Sequence, residues 1–246
     1  MYYENMTSKF NSNFKYGFTL AEVLITLVIV GVIAALTIPT LIERHEKEQT
    51  VTQLKQVFSQ FNQAVKMSVP KYGDTVTWDH SLNGINFFNT YLTGFIKVEE
   101  KDHYNSQVTY KGIDGSRETS LTCLYNGSKM IVLNSGVIMY ADTVSSAASD
   151  EEKKRKCYVF DVNGLKGPNQ FGRDTFFLCL DGLHGTVVPH HSSDNEMLYV
   201  EKSRNQLING PSYNNYQCNK NNGRGMWCAA LIVNDGWQIK DDYPWY

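Results

Sequence analysis

Two groups of residues in this chain have the types and spacing to do chemistry. The first is the stretch Asp161-Val-Asn163-Gly164-Leu-Lys-Gly-Pro-Asn169-Gln-Phe-Gly-Arg-Asp174. Asp161, Asn163 and Asp174 are hard oxygen donors, and the glycines let backbone carbonyls turn inward, a combination that suits calcium. The glutamate that a helix-loop-helix calcium site needs at its twelfth position is absent. The competing reading is therefore a Gly/Asn/Pro loop whose Asp and Asn side chains satisfy its own backbone. The second group is Glu22 with the apolar run after it. From Val23 to Ile42 the chain reads VLITLVIVGVIAALTIPTLI, with no Asp, Glu, Lys, Arg or His. A helix of about 20 such residues crosses the ~30 Å hydrocarbon core of a bilayer. Dragging a carboxylate to the bilayer centre costs about 2–3 kcal/mol, so Glu22 points to a partner that compensates it.

Other candidate constellations are weaker. His184, His190 and His191, with Asp194 and Glu196, supply zinc-type ligands. On a strand, however, His190 and His191 point to opposite faces. They have no helical i, i+4 spacing and no nearby cysteine, and the chain has no CxxC pair. There is no G-x-S-x-G, P-loop or G-x-G-x-x-G, hence no credible catalytic set, and the chain reads as a non-enzyme. The five cysteines are Cys123, Cys157, Cys179, Cys218 and Cys228. The odd count leaves at least one unpaired within a monomer. Cys218 and Cys228 flank NKNNGRGMW, flexible enough to close a disulfide; Cys157 and Cys179 sit on two candidate strands; the fates of Cys123, Cys157 and Cys179 stay open. A formal net charge of −2 gives no global field for nucleic acid. The segment 143–156, TVSSAASDEEKKRK, reads as a solvated loop rather than a basic patch, because Asp150, Glu151 and Glu152 oppose its lysines.

The N-terminal residues carry a family resemblance. Gly17-Phe18-Thr19-Leu20-Ala21-Glu22, running into the apolar segment, resembles the signal of type IV pilins and of the pseudopilins of type II secretion systems. In that family a prepilin peptidase cuts after the glycine, here Gly17, and the new N-terminal residue, here Phe18, is N-methylated. The fifth mature residue is Glu, here Glu22, and a proline twenty-two residues in marks a helix irregularity, here Pro39. The resemblance covers only about residues 16–45. It implies that Glu22 pairs with the amine of a neighbouring subunit. The implied partners are the prepilin peptidase, identical or related pilin or pseudopilin subunits, an inner-membrane assembly platform and the lipid bilayer. No cofactor is required, and calcium is the one ion that the 161–174 loop suits. Some pseudopilins do hold calcium in a loop between strands of the head.

The elements that position these residues are legible in the pattern. Residues 1–17 form a polar leader with Lys9 and Lys15, and its apolar run comes after the cut rather than before it, unlike a secretory signal. Residues 18–69 read as one long helix with a transmembrane half at 18–42. Pro39 removes one backbone hydrogen bond and is expected to bend or loosen it. Beyond ERHEKEQ, the residues Val51, Leu54, Phe58, Phe61, Val65 and Ser68 recur at helical spacing and predict a face packed on a sheet. Pro70 is expected to end the helix. Residues 70–246 form an extracytoplasmic head. Asn83 caps a short helix near 84–97. TSLTCLY, SKMIVL, GVIMYAD, CYVFDVNG and DTFFLCLDG predict an antiparallel sheet of four or more strands. The run after Met226 predicts a short helix ending at Gly236, with Trp237, Tyr243, Trp245 and Tyr246 folding back onto the head. The fold class is thus α+β, a long N-terminal helix on an antiparallel β-sheet head. The function expected is a prepilin-type structural subunit of a type II secretion pseudopilus or type IV pilus-like filament. It would be anchored in the cytoplasmic membrane by a single pass. The alternative is a membrane-anchored extracytoplasmic binding protein or hydrolase.

Overall fold

The computed structural model describes residues 17–104, 108–116, 129–141, 154–190, 202–211, 215–221 and 223–245. The chain divides into two compact units, Met1–His45 and Glu46–Tyr246. Helix α1 (Leu20–Tyr72) begins in the first unit and ends in the second. In the first unit the apolar side chains are exposed, Leu36 at 72 % and Val28 at 65 %. The threonines in this stretch return their hydroxyls to the helix. Thr26 donates to the Val23 carbonyl, Thr37 to that of Ile33 and Thr40 to that of Thr37, each at 2.9 Å. The apolar run therefore offers no unpartnered hydroxyl donor on its surface. The segment is long and apolar enough to cross a membrane by length and composition. The helical run is unbroken through Pro39.

In the second unit α1 buries Thr50, Leu54, Val57, Phe61, Ala64, Val65 and Ser68. Val51 and Phe58, expected in the same stripe, are half-buried at its edges. Thr50 and Ala64, which the apolar spacing did not single out, complete the stripe. The helix does not end at Pro70 but runs to Tyr72. A proline disfavours helical geometry before it without forbidding it. The chain leaves the helix where Gly73 takes φ of 82° and donates its N–H to the Val69 carbonyl at 2.9 Å. The next helix, α2 (Gly84–Phe87), starts at the expected cap, with Asn83 Oδ1 accepting from the Asn86 N–H at 2.9 Å. It widens over Phe88–Leu92, where the Thr93 N–H reaches back five residues to the Phe88 carbonyl at 3.0 Å.

Six strands come next in an antiparallel meander, β1 (Val98–Tyr104), β2 (Lys129–Leu133), β3 (Ile138–Ala141), β4 (Arg155–Asp161), β5 (Thr175–Asp181) and β6 (Thr186–Pro189). Strands β2 to β5 match four of the runs legible in the sequence, whereas TSLTCLY lies outside the described residues. Strands β1 and β6 carry no comparable signal: VEEKDHY has no apolar alternation and TVVP is short. Two different cores cover the sheet. Facing α1 are Met139, Tyr158, Phe160, Phe176, Leu178, Leu180 and Val187. Facing away are Met130, Ile138, Tyr140, Cys157, Val159, Phe177 and Cys179, covered by Tyr110, Phe171 and Met226 from loops. Burial on both faces is why β4 and β5 read as near-continuous apolar runs.

One expectation for 143–156 is corrected. Arg155 and Lys156 belong to β4, and Lys156 is only 3 % exposed. Its Nζ donates to the carbonyls of His80 at 2.8 Å and Leu82 at 2.9 Å and lies 5.5 Å from the Phe87 ring centroid. The long apolar stem is buried while its head finds backbone acceptors, a placement that a run of charges cannot announce. Residues 143–153 lie outside the described residues.

The C-terminal part locks onto this sandwich. Ser203 caps α3 (Arg204–Asn209) in a capping box with Gln206. Helix α4 (Cys228–Asn234) ends before Gly236, which takes φ of 75°, as the sequence predicts. Arg204 donates to Asp235 at 2.7 Å and to Asp242 at 2.7 and 2.6 Å, clamping α3 to the tail. Tyr243 and Trp245 are buried, and the Tyr243 hydroxyl donates to the Gly172 carbonyl at 2.6 Å. Trp237 packs edge-on against Phe58 with centroids 5.3 Å apart.

Candidate functional site

The N-terminal segment is organised by Thr19 as well as Glu22. Thr19 precedes α1 as its N-cap. Its Oγ1 accepts from the Glu22 N–H at 3.2 Å, and Glu22 Oε2 accepts from both the Thr19 N–H and the Thr19 hydroxyl at 2.8 Å. This is a capping box, which satisfies helix-end donors reciprocally. The Thr-x-x-Glu spacing that could have revealed the cap is present in the sequence, but there the carboxylate reads first as a charge. Phe18 is 88 % exposed, and among the described residues an added Cβ at Gly17 would meet no atom within 4 Å. The described residues therefore place no steric demand for glycine at residue 17.

The second candidate is the β4–β5 connection. The Val162 N–H donates to the Asp174 carbonyl at 2.8 Å, so the loop closes between the strand ends. Asp174 organises its interior. Its Oδ2 accepts from the Asn169 N–H at 2.8 Å and the Asn163 amide at 3.3 Å, and its Oδ1 from the Gln170 N–H at 2.7 Å and the Thr175 hydroxyl at 3.2 Å. The loop carries a cis Gly167-Pro168 bond and left-handed residues at Gly164, Asn169 and Gly172. Gly172 is tightly packed: a Cβ there would lie 2.7 Å from Ile113 Cδ1 and 2.9 Å from Cys228 Sγ.

Asp161 closes the strand side of the loop. It is fully buried, and its Oδ2 accepts from the Tyr110 hydroxyl at 3.0 Å, which lies 3.2 Å from the Tyr140 hydroxyl. Burial, followed by the nearby Asp174 charge, pushes the Asp161 carboxyl up to about 8. Burial raises Asp174 as well, against the pull of its backbone donors. Among the described residues, Asp161 Oδ1, Asn163 Oδ1 and Asn169 Oδ1 are buried with no hydrogen-bond partner. Unsatisfied oxygens beside two carboxyl groups that oppose each other's ionisation fit a hard cation, which would favour the charged form of both. The structure thus brings the three predicted donors into one loop, with different tasks. Asp174 holds the loop together, while Asp161 and Asn163 keep oxygens to offer, and Asn169 joins them. A cavity of about 180 Å³ opens beside them, lined by Asn163, Arg173, Asp174, Trp245 and, from α1, Glu46 and Gln49.

The remaining sequence candidates separate. His184 Nδ1 pairs with Asp181 Oδ2 at 2.6 Å on the β5–β6 turn. His190 lies beyond β6, packed edge-on against Phe177. His191, Asp194, Glu196 and Cys123 lie outside the described residues. Cys218 and Cys228 are bonded, and so are Cys157 and Cys179, which oppose each other across β4 and β5.

Comparison with known families gives two matches. The model described as Family of unknown function (DUF6613) matches residues 40–246, and that described as Prokaryotic N-terminal methylation motif matches residues 13–38. No curated protein and no solved structure matches.

Proposed function

We propose that this chain, which belongs to the family of unknown function DUF6613 and carries a prokaryotic N-terminal methylation motif, is a subunit of a type II secretion pseudopilus. The motif makes the chain a pilin-like precursor, and the α+β architecture is pilin-like. The observation that carries the reading is the cleavage signal at Gly17-Phe18, set directly before an exposed apolar helix that continues into a sheet-packed half. The surroundings of Gly17 among the described residues support it, since a glycine that they do not need suits a peptidase pocket. After trimming, the apolar face of α1 meets lipid and then the helices of neighbouring subunits, and Glu22 pairs with a neighbour's Phe18 amine. The work of the assembly is mechanical, and the head in the periplasm is the part offered to cargo.

The β4–β5 loop fits this role as a calcium-stiffened element of the head. Asp161, Asn163 and Asn169 would offer their oxygens to the ion while Asp174 holds the loop around them, and calcium would supply the positive charge that the two carboxylates lack.

Intact mass of the chain from cells with and without prepilin peptidase tests the processing. The expected difference is the leader through Gly17, together with a methyl group on the Phe18 amine. An unchanged mass would remove the filament reading. For the finer assignment, deleting the chain should stop release of secreted enzymes while surface pili persist; loss of pili with normal secretion would overturn it.

A further inference from the structure

The third group of potential ligands is assembled by the sheet and invisible in the sequence. Cys157 on β4 and Cys179 on β5 are directly opposed, and Cys179 is opposed in turn by Val188 on β6. The His190 N–H donates to the Phe177 carbonyl at 2.9 Å, so the β6 register continues one residue beyond Pro189. Opposed residues share a face, which puts Cys157, Cys179 and His190 together on the side of the sheet away from α1. His190 Nδ1 lies 3.9 Å from Cys179 Sγ, and all three ligand atoms lie within 4.8 Å of one another. The three residues are buried, with the Phe177 and Tyr216 rings against the imidazole.

In the structure the two sulfurs are bonded to each other. The geometry points to a second state: with the disulfide reduced, Cys157, Cys179 and His190 bind a thiophilic cation of the zinc class, which then links β4, β5 and β6 in place of the covalent bond. A tetrahedral ion with sulfur at about 2.3 Å and nitrogen at about 2.0 Å sets S···S near 3.8 Å and S···N near 3.5 Å. The 3.9 Å separation of His190 from Cys179 is already close to that edge. Once reduced, the two sulfurs can separate by side-chain rotation on fixed strands. The chemistry balances. A dithiol reductant gives two electrons and two protons to the disulfide and is itself oxidised to a disulfide. The two thiols then release their protons as the ion binds. Two thiolates and one imidazole are soft and borderline donors, which select zinc or copper(I) over calcium or magnesium. The site is distinct from the β4–β5 loop, whose donors are all oxygen.

The test uses the full chain in detergent micelles, with Cys123, Cys218 and Cys228 replaced by Ala so that one cysteine pair remains. Cobalt(II) is the probe, displaced afterwards by zinc, and circular dichroism tracks the fold. The reduced protein is expected to bind one equivalent with a thiolate-to-cobalt charge-transfer band, and the oxidised protein none. His190→Gln should weaken binding at least tenfold while leaving the oxidised fold intact. If reduction loosens the sheet, zinc should restore it. A reduced protein that shows no band and no recovery with zinc overturns the inference. So does a band of equal strength in His190→Gln or in Cys157→Ser.

Discussion

The sharpest test of the assembly role separates the two tasks of Glu22. Its carboxylate caps α1 through Thr19, with both contacts at 2.8 Å. It is also the charge proposed to meet a neighbour's amine. Glu22→Gln keeps an oxygen for the Thr19 donors but removes the charge. Glu22→Val removes both. Thr19→Ala removes the hydroxyl half of the cap and keeps the charge. A cap residue contributes about 0.5–2 kcal/mol to its helix. Leaving a buried charge without its partner costs about 3–5 kcal/mol. At about 1.4 kcal/mol per decade, the charge effect is roughly two to four orders of magnitude in subunit docking, and the cap effect at most about one and a half. Membrane insertion, measured by alkaline extraction, should be unchanged in Glu22→Gln and unchanged or better in Glu22→Val, because the segment becomes more apolar. Assembly, measured as crosslinked ladders in whole cells, should collapse in both Glu22 variants and persist in Thr19→Ala. Wild-type ladders in Glu22→Gln would show that the residue is only a cap. So would a loss in Glu22→Val no greater than that in Thr19→Ala.

Four further outcomes are expected. Thermal melts of the full chain in detergent should rise with calcium and fall with chelator, by about 2.7 kcal/mol of stabilisation at a hundredfold excess over the dissociation constant; Asp161→Ala should erase the difference, and coincident melts in the wild type would make the loop a self-satisfied turn. Replacing Cys218 and Cys228 by Ala, which opens a link across 10 positions, should cost about 2–3 kcal/mol in urea denaturation. Burial, reinforced by the Lys156 and Lys154 charges, pulls the His80 imidazole below its usual range, against the hydrogen bond to the Thr75 carbonyl. The unfolded chain then takes up that proton first, so stability present above about pH 6.5 is lost as pH falls below it; His80→Gln should flatten the melting temperature over that window, and an unaltered slope would exclude His80 as the cause. Gly182→Ala should cost about 1–3 kcal/mol of stability in urea denaturation, because its Cβ would sit 2.5 Å from the Lys154 carbonyl and against the His80 ring; a neutral change would mean that the turn relaxes freely.

Local pattern was enough to define the N-terminal helix of this protein. The junction at Gly17-Phe18, the charge at Glu22, the uncharged run to Ile42 and the stripe through Leu54, Phe61 and Val65 all depend on neighbours within a turn or two of helix. So do the Asn83 cap and the left-handed Gly236. The four central strands were legible for a related reason, since burial on both faces writes a continuous apolar run. Tertiary structure alone decided what depends on partners distant in sequence. Strand β1 is held by its pairing with β2 rather than by an apolar pattern of its own. Lys156 is buried because backbone carbonyls 74 and 76 positions away accept its protons. In the β4–β5 loop the sequence named Asp161, Asn163 and Asp174, but their division of labour came from the backbone donors that converge on Asp174. His190 shows the limit most plainly. Beside His191 it looked like half of a weak pair, and only the register of β5 and β6 carries its imidazole to Cys179. Spacing along a chain fixes the face of one element, whereas the closeness of side chains from three strands is a property of their pairing.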